Sequence, residues 1–165
     1  MIDSFEMLRE RIEAAGTQER MGLVSQRYAI VTLHRPANVD SREKLAELVG
    51  ALGQLAEMID VVFAIHPRTR KKLEEFDLLK LLTSHTRIRA TEPLSYIEFM
   101  NLVMHSRIAI TDSGGIQEET TYLGIPCATL RENTERPITV TAGTNRLVKP
   151  AELLGACLLY TSRCV

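Results

Sequence analysis

Short, largely apolar runs alternate along the chain with longer segments in which apolar residues recur every three or four positions. The short runs are rich in Ile, Val and Leu, and such runs are typical of buried strands. Strands that are apolar on both faces occur in parallel sheets whose two faces are covered by helices. We predict strands at 27–33, 61–65, 87–90, 107–111, 125–130 and 145–148.

The longer segments have the period of amphipathic helices, most clearly between residues 41 and 58. Two pairs of residues resemble capping boxes at helix starts, namely Asp40 with Glu43 and Ser95 with Glu98. Helices are predicted over 41–58, over about 68–82, from Ser95 to about 105, from Ser113 to Gly124 and briefly after Arg136.

Alternation of apolar strands with amphipathic helices defines an α/β protein, and we predict a Rossmann-like doubly wound parallel sheet. The chain has 165 residues, which is enough for one domain with its own core and too few for two. We assign this domain to residues 1–150. Its composition, with 45% apolar residues, fits a globular protein.

Charge and segment composition narrow the range of partners. The 20 basic and 21 acidic side chains give a net charge of -1, which provides no field to attract nucleic acid or anionic lipid. No apolar run approaches the roughly 20 residues that span a bilayer. The N-terminal segment MIDSFEMLRERIEAAG is amphipathic and mixed in charge, and it lacks the features of a secretory signal. We therefore expect neither a nucleic-acid partner nor a membrane partner.

The three cysteines, Cys127, Cys157 and Cys164, are odd in number and none of their spacings is that of metal ligands. This usage predicts a reducing, cytoplasmic setting and no metal site. Cys127 falls within a predicted strand, where a small core side chain is the expected role.

Ligands of doubly wound sheets bind where the carboxyl ends of strands lead into helices. Polar residues follow three predicted strands directly, at 34–38, 66–68 and 112–115. The third segment, Asp-Ser-Gly-Gly, opens a helix, whose first turn has unpaired N–H groups and a partial positive charge. Two glycines there would let phosphate oxygens approach the main chain. Ser113 could cap the helix or donate to the same phosphate.

Glu119 falls on the same helical stripe as Ile116, Thr120 and Leu123, whereas Glu118 does not. An acid on a packing stripe is costly unless it has a partner. Because it lies about a turn and a half beyond Ser113, its carboxylate could accept from both hydroxyls of a ribose attached to a diphosphate. The alternative is a capped turn with a solvated Glu119. The segment matches neither a P-loop nor G-x-G-x-x-G.

Other polar residues at strand ends leave two interpretations open. His34 could donate to a phosphate or move a proton, or it could be structural. Arg136 could contact phosphate in a bidentate manner, or form a surface ion pair with Glu132 or Glu135. Residues 66–68 could contact a second anion, although we favour the start of a helix.

Several motifs together resemble the carboxyl half of the non-hydrolysing UDP-N-acetylglucosamine (UDP-GlcNAc) 2-epimerases. They are the loop that begins at His34-Arg35-Pro36, which resembles the THR-type loop of the family, then EPLSY, DSGGIQEE, TERP and AGTNRLV. The resemblance extends from about Ile2 to Val148. It implies one half of a GT-B-like enzyme, in which two Rossmann-like domains bind the nucleotide sugar between them.

The resemblance also implies a UDP site in this half. Glu119 would hold the ribose hydroxyls, and Phe99 would line the uracil pocket. The family reaction removes the C2 proton and eliminates UDP to give a 2-acetamidoglucal. UDP then adds back, with C2 protonated from the other face, without a metal or redox cofactor. His34 would help to stabilise the departing diphosphate. The residues implied to contact the diphosphate or the sugar edge are Ser113, Gly114, Gly115, Arg136 and His34.

The resemblance starts near the family's interdomain hinge, so we expect the amino-terminal domain, with its C2 acid and base residues, to be supplied in cis or in trans. After Pro150 the family pattern is lost. We expect residues 151–165, which contain ACLLYTSRCV, to be a truncated or non-native tail.

Three hypotheses follow. The chain is the UDP-binding half of an epimerase and is inactive alone, or a separate chain completes the enzyme, or the chain is a non-catalytic nucleotide-sugar-binding module. A fragment of a hydrolysing epimerase or of another GT-B glycosyltransferase is a further alternative. An open half-cleft would bind UDP weakly and would favour self-association into a homo-oligomer.

Overall fold

The computed structural model of the protein describes residues 2–161. Within them, six strands form one sheet in the order β3-β2-β1-β4-β5-β6, and every neighbouring pair is parallel. The predicted Rossmann-like α/β fold is thus confirmed. The strand order reverses between β1 and β4, which places the ligand-binding crevice of such sheets beyond these two strands. The strands are β1 Tyr28–Thr32, β2 Asp60–Ala64, β3 Ile88–Thr91, β4 Ile108–Thr111, β5 Cys127–Thr129 and β6 Asn145–Leu147.

Helices cover both faces of the sheet. A 3-10 turn at Pro150–Glu152 precedes the last of them. No helix among the described residues combines the length and the apolar content that crossing a membrane requires. The helices are α1 Ile2–Glu13, α2 Thr17–Arg20, α3 Pro36–Val39, α4 Arg42–Ala56, α5 Pro67–Glu75, α6 Leu79–Ser84, α7 Tyr96–His105, α8 Gly114–Leu123, α9 Pro137–Thr141 and α10 Leu153–Thr161.

The core has two layers because successive side chains of a strand point to opposite faces of the sheet. Ala29 and Val31 of β1 belong to the layer that includes α4 and α10, whereas Tyr28 and Ile30 belong to the layer that includes α1 and α7. The continuous apolar runs in the sequence therefore reflect burial on both faces, as predicted.

Two details of the predicted helices were wrong. The helix predicted over 68–82 is divided into α5 and α6, because Asp77 adopts the left-handed conformation with φ of 57°. The residue that caps α4 is Ser41, whose side chain accepts from the Lys44 N–H at 3.4 Å. Asp40 instead forms an ion pair with Arg68.

Two other helix boundaries were predicted correctly. Ser95 and Glu98 form the expected capping box at the start of α7. Gly124 ends α8 with φ of 72°, a conformation that glycine adopts without the strain of a Cβ. Local sequence therefore sets the start of α7 and the end of α8.

The carboxyl-terminal segment packs against the rest of the domain. Leu153, Ala156 and Cys157 are buried in the same layer as α4. The prediction of a truncated or non-native tail over 151–165 stays a prediction, and residues 162–165, including Cys164, lie outside the described part of the chain. Cys127 is a fully buried core side chain, and burial raises the pKa of its thiol to about 11.

Candidate functional site

The ends of β1 and β4 meet at the crevice. The register pairs Thr32 with Thr111, so the residues that follow these strands come together. His34 and Asp112 are the pair that results, with His34 Nδ1 3.1 Å from Asp112 Oδ1. The loop after β1 and the glycine turn after β4 thus form one structure.

Asp112 holds this structure together. Its buried carboxylate accepts from the backbone N–H groups of His34 and Arg35 and from Asn38 Nδ2. Burial would raise the pKa of Asp112, but hydrogen bonds from His34, Arg35 and Asn38 outweigh it and lower that pKa. An ionised Asp112 therefore fixes the loop. The sequence assigned no role to Asp112, although an acid directly after a buried strand indicates a structural or binding role.

The glycine turn lies at the start of α8. Ser113 is the N-cap residue with an extended backbone, but its side chain makes no capping hydrogen bond. Gly114 and Gly115 are the first two helical residues, so their N–H groups lack partners within the helix. Ser113 accordingly does not have the capping role that sequence left open, and its hydroxyl is available to a ligand.

The conformation of the chain does not require glycine at these two positions. Among the described residues, positive φ at glycine is found at Gly16, Gly22 and Gly124, and not at Gly114 or Gly115. A Cβ added to Gly114 would make only ordinary contact, with Glu135 Oε2 at 3.7 Å. A requirement for bare main chain at Gly114 would therefore come from a ligand rather than from the fold.

A cleft of about 200 Å³ opens in front of this turn. It brings together His34, Phe99 and Ser113, three of the residues singled out from sequence. The rings of His34 and His66 lie 5.6 Å apart, measured between their centroids. The cleft has a polar wall and an apolar wall, and its lining residues are Thr32, His34, Ala64, His66, Pro93, Leu94, Phe99, Ser113 and Ile116.

Glu119 lies further along α8 and does not line this cleft. It is only 3% exposed, so the alternative of a solvated side chain is wrong. The hydroxyl of Tyr96 donates to Glu119 Oε1 at 2.7 Å and supplies the partner that a buried acid needs. Burial raises the pKa of Glu119, and the hydrogen bond from Tyr96 opposes this without reversing it.

Arg136 is placed apart from the cleft, at the start of α9. Its Nε lies 2.8 Å from Glu118 Oε1, so it does form an ion pair, but with neither Glu132 nor Glu135. Glu135 pairs with Arg131 instead. The pair with Glu118 holds the Arg136 loop against α8.

Residues 66–68 form the start of a helix, as favoured from sequence. The His66 side chain accepts from the Arg68 N–H at 3.2 Å and caps α5. Among residues 2–161, no group of three or more His, Cys, Asp or Glu side chains is placed to hold a metal ion.

Comparison with known proteins identifies the family of the chain. The sequence profile described as UDP-N-acetylglucosamine 2-epimerase matches residues 1–154. The chain belongs to the UDP-N-acetylglucosamine 2-epimerase family. The resemblance noted in the sequence is thereby confirmed.

Curated relatives in the 2-epimerase family are longer than this chain. The UDP-N-acetylglucosamine 2-epimerase of Methanocaldococcus jannaschii is 45% identical over 128 residues, which are 76% of this chain and 35% of that protein. The UDP-2,3-diacetamido-2,3-dideoxy-D-glucuronate 2-epimerase of Pseudomonas aeruginosa is 38% identical over 133 residues, or 79% and 36% of the two chains. The chain spans about a third of the length of these relatives.

A solved 2-epimerase structure has the same fold. The crystal structure of the Methanocaldococcus jannaschii UDP-GlcNAc 2-epimerase, in complex with UDP-GlcNAc and UDP, superposes with a TM-score of 0.84 and 39% identity. The match covers 93% of this chain and 44% of that one. The domain is thus similar to one half of a larger 2-epimerase.

The motifs that carry the family resemblance are joined by a buried polar network that we did not predict. Gln117 Oε1 of α8 accepts from Thr134 Oγ1 at 2.6 Å and from Asn145 Nδ2 at 2.9 Å. Asn145 in turn accepts from Thr129 and donates to Thr139. DSGGIQEE, TERP and AGTNRLV therefore meet around one amide, and the sequence signal was an Asn at the start of a predicted strand.

Gly143 of AGTNRLV has a packing role in this domain. A Cβ at this position would lie 2.5 Å from the Thr139 carbonyl oxygen and 2.6 Å from the side chain of Thr121. Only glycine lets the turn after α9 approach α8 this closely. The glycine of this motif thus serves the fold, unlike Gly114 at the start of α8.

Proposed function

We propose that this chain is the UDP-binding half of a UDP-GlcNAc 2-epimerase, which interconverts UDP-GlcNAc and UDP-ManNAc through elimination and re-addition of UDP. The observation that carries the proposal is the start of α8 at the strand switch point. There, two glycines that the backbone does not require present main-chain N–H groups beside a cleft. Helix starts of this kind bind phosphate through bare N–H groups and the helix dipole.

In this proposal Ser113, Gly114 and Gly115 bind the diphosphate. The hydroxyl of Ser113, which makes no capping bond, adds a donor to the main-chain N–H groups. His34 supplies a further contact. Because Nδ1 faces Asp112, Nε2 is left for the ligand, and in the imidazolium form of the ring it donates to a phosphate oxygen. Arg136 is held by Glu118 and would reach a phosphate only after leaving that partner.

The nucleoside would occupy the rest of the site. Phe99, with Pro93 and Leu94, gives the cleft an apolar wall suited to the flat face of a uracil ring. Glu119 would accept hydrogen bonds from the ribose hydroxyls once the nucleoside displaces the groups that now bury it. In this arrangement the domain contacts the UDP part of the substrate. This agrees with the names of two relatives, which share UDP and differ in the sugar.

Stabilising a departing diphosphate is an electrostatic task, and it is the share of the reaction that we assign to this half. The proton transfers at C2 are assigned to a second domain, supplied in cis or in trans. The 165 residues alone are then expected to bind UDP weakly and not to epimerise, because only part of the ligand is enclosed. The open half-cleft would favour self-association.

We also propose a cytoplasmic location. The two described cysteines, Cys127 and Cys157, are free and buried, which is usual for proteins of reducing compartments.

Titration with UDP tests the proposal. The 165-residue chain is expected to bind UDP, and Gly115→Asp is expected to abolish binding because it places a carboxylate against the phosphates. Gly50→Asp is the matched control, since Gly50 lies in α4 with open space around it and away from the cleft. The absence of UDP binding to a folded chain at millimolar concentration would overturn the proposal.

A second assay addresses the division of labour. UDP-GlcNAc is incubated with the chain in deuterated water, and UDP-ManNAc formation and deuterium at C2 are measured. No turnover is expected from the chain alone, and turnover by the chain alone would refute the assignment of proton transfer to another domain. UDP binding without exchange is also expected of a non-catalytic binding module, so a complementing amino-terminal domain that restores turnover decides between the two.

A further inference from the structure

Tyr96 links the start of α7 to the middle of α8. Its hydroxyl donates to Glu119 Oε1 at 2.7 Å, although the two residues are 23 positions apart in sequence. The Glu119 side chain is almost completely buried, whereas Tyr96 is 37% exposed. The tyrosine therefore lies between the acid and the surface of the domain.

The hydrogen bond constrains the carboxylate without using up its capacity. A carboxylate has two oxygens with about four acceptor positions, of which the tyrosine takes one. Burial raises the pKa of Tyr96, so the phenol keeps its proton and acts as a donor. The remaining positions can accept from the two hydroxyls of a ribose, provided that the carboxylate is held in one orientation.

We propose that Tyr96 is the positioning residue for Glu119, and that it sets the preference of the site for a ribonucleotide over a 2′-deoxyribonucleotide. This inference rests on the proposed UDP site and adds to it a residue that touches the ligand only through another. Orientation matters because two hydroxyls on adjacent carbons can be bound together only by a carboxylate in a fixed plane. A carboxylate that is free to rotate would discriminate less between a ribose with two hydroxyls and a deoxyribose with one.

A purely structural role is the competing explanation. The contact joins α7 to α8. If its role were only structural, its loss would lower the stability of the whole domain and reduce the affinity for every ligand equally. A positioning role predicts instead a selective loss of affinity, which is larger for ligands that carry the 2′-hydroxyl. The ratio of the dissociation constants of 2′-deoxy-UDP and UDP distinguishes the two.

The experiment measures both dissociation constants by calorimetric or NMR titration for the chain and its variants. Since hydrogen bonds to charged groups contribute about 1.5–3 kcal/mol, the unsubstituted chain is expected to prefer UDP by roughly tenfold or more. Tyr96→Phe removes the hydroxyl and keeps the ring. It is expected to reduce this ratio at least threefold by weakening UDP binding more than 2′-deoxy-UDP binding.

Tyr122→Phe is the matched control. Tyr122 lies in α8, three residues from Glu119, and like Tyr96 it donates to a glutamate, but its partner is Glu6 at the exposed contact with α1. Its removal is expected to leave the ratio unchanged. Glu119→Gln supplies a second comparison: if Tyr96 acts through Glu119, adding Tyr96→Phe to Glu119→Gln should change the ratio no further.

The outcomes separate the two proposals. If the unsubstituted chain does not bind UDP, both the proposed function and this inference fail. If UDP binds and Gly115→Asp abolishes it, but Tyr96→Phe leaves the ratio unchanged or weakens both ligands equally, only the inference fails. Equal affinity of the unsubstituted chain for the two nucleotides would likewise overturn the inference alone.

Discussion

His34 Nδ1 lies 3.1 Å from Oδ1 of Asp112, and the same carboxylate accepts from the backbone N–H of His34. One acid therefore fixes both the ring and the main chain of the residue that enters the cleft. Because Asp112 directly precedes the glycine turn, the position of His34 relative to that turn is determined by a single buried group. The imidazole of His34 is therefore held in position next to the turn before any ligand binds there.

The first prediction concerns the stability that this arrangement provides. Asp112→Asn keeps the size of the side chain but replaces one acceptor oxygen by a donor that faces the N–H groups of His34 and Arg35. The variant loses hydrogen bonds to a buried charge and leaves donors unpaired. We therefore expect the free energy of unfolding to fall by about 2–3 kcal/mol. Urea denaturation at pH 7 measures this difference.

Asp60→Asn is the control, because Asp60 forms a partly exposed ion pair with Arg87 and such pairs contribute at most about 1 kcal/mol. The pH dependence adds a second readout. The folded-state pKa of Asp112 is lowered, so its contribution is present above the unfolded pKa and is lost as pH falls through the folded value. Asp112→Asn should therefore flatten the loss of stability in acid, and equal slopes would contradict the assignment.

Glu119 gives a prediction of the opposite sign. Burial raises its folded-state pKa, so the charged form is disfavoured by folding, and the penalty grows as pH rises above the unfolded pKa. Glu119→Gln removes the charge and can still accept from Tyr96. We expect a higher melting temperature at pH 7, a gain that shrinks toward pH 4, and weaker UDP binding. A variant that is less stable at pH 7 would show that the charged form is favoured by the fold.

The sheet was predictable from sequence because burial on both faces leaves an unbroken apolar run, and the helix ends at Ser95 and Gly124 were predictable because their signals are local. The break in the helix at Asp77 was not, since no glycine or proline marks it. The glycine turn at the start of α8 was visible in the sequence as a glycine pair.

The partners of the site residues were not predictable. Tyr96 and Glu119, or Gln117 and Asn145, meet only because the sheet brings distant segments together. The ion pair that sequence left open for Arg136 was with an acid near it along the chain, Glu132 or Glu135, but the fold pairs it with Glu118. Local patterns therefore predicted the elements and the type of chemistry, while tertiary packing determined which side chains act in pairs.

The buried amide network gives a third prediction. Asn145→Ala removes the donor to Gln117 and the acceptor for Thr129, and it leaves buried polar groups without partners. Each such group costs about 1–3 kcal/mol, so we expect a loss of at least 2 kcal/mol in unfolding free energy. Asn133→Ala is the control, since Asn133 lies exposed in the loop before α9. Similar losses for the two variants would show that the network does not stabilise the fold.

The last prediction separates the needs of the fold from those of the ligand at Gly114. This residue has a negative φ and lies in a helix, and a Cβ would meet nothing closer than Glu135 at 3.7 Å. Gly114→Ala should therefore leave the domain as stable as before or stabilise it by up to about 1 kcal/mol, because alanine is the better helix former. It should nevertheless weaken UDP binding at least tenfold, because the methyl group occupies the approach to the main-chain N–H groups.

Gly50→Ala in α4 is the matched control and should stabilise the domain similarly without affecting UDP. Thermal melting and UDP titration of both variants test the contrast. A Gly114→Ala chain that binds UDP as well as the unsubstituted chain would show that the phosphates lie elsewhere, because no other feature of the turn explains why glycine occupies a position that the backbone leaves open to any residue.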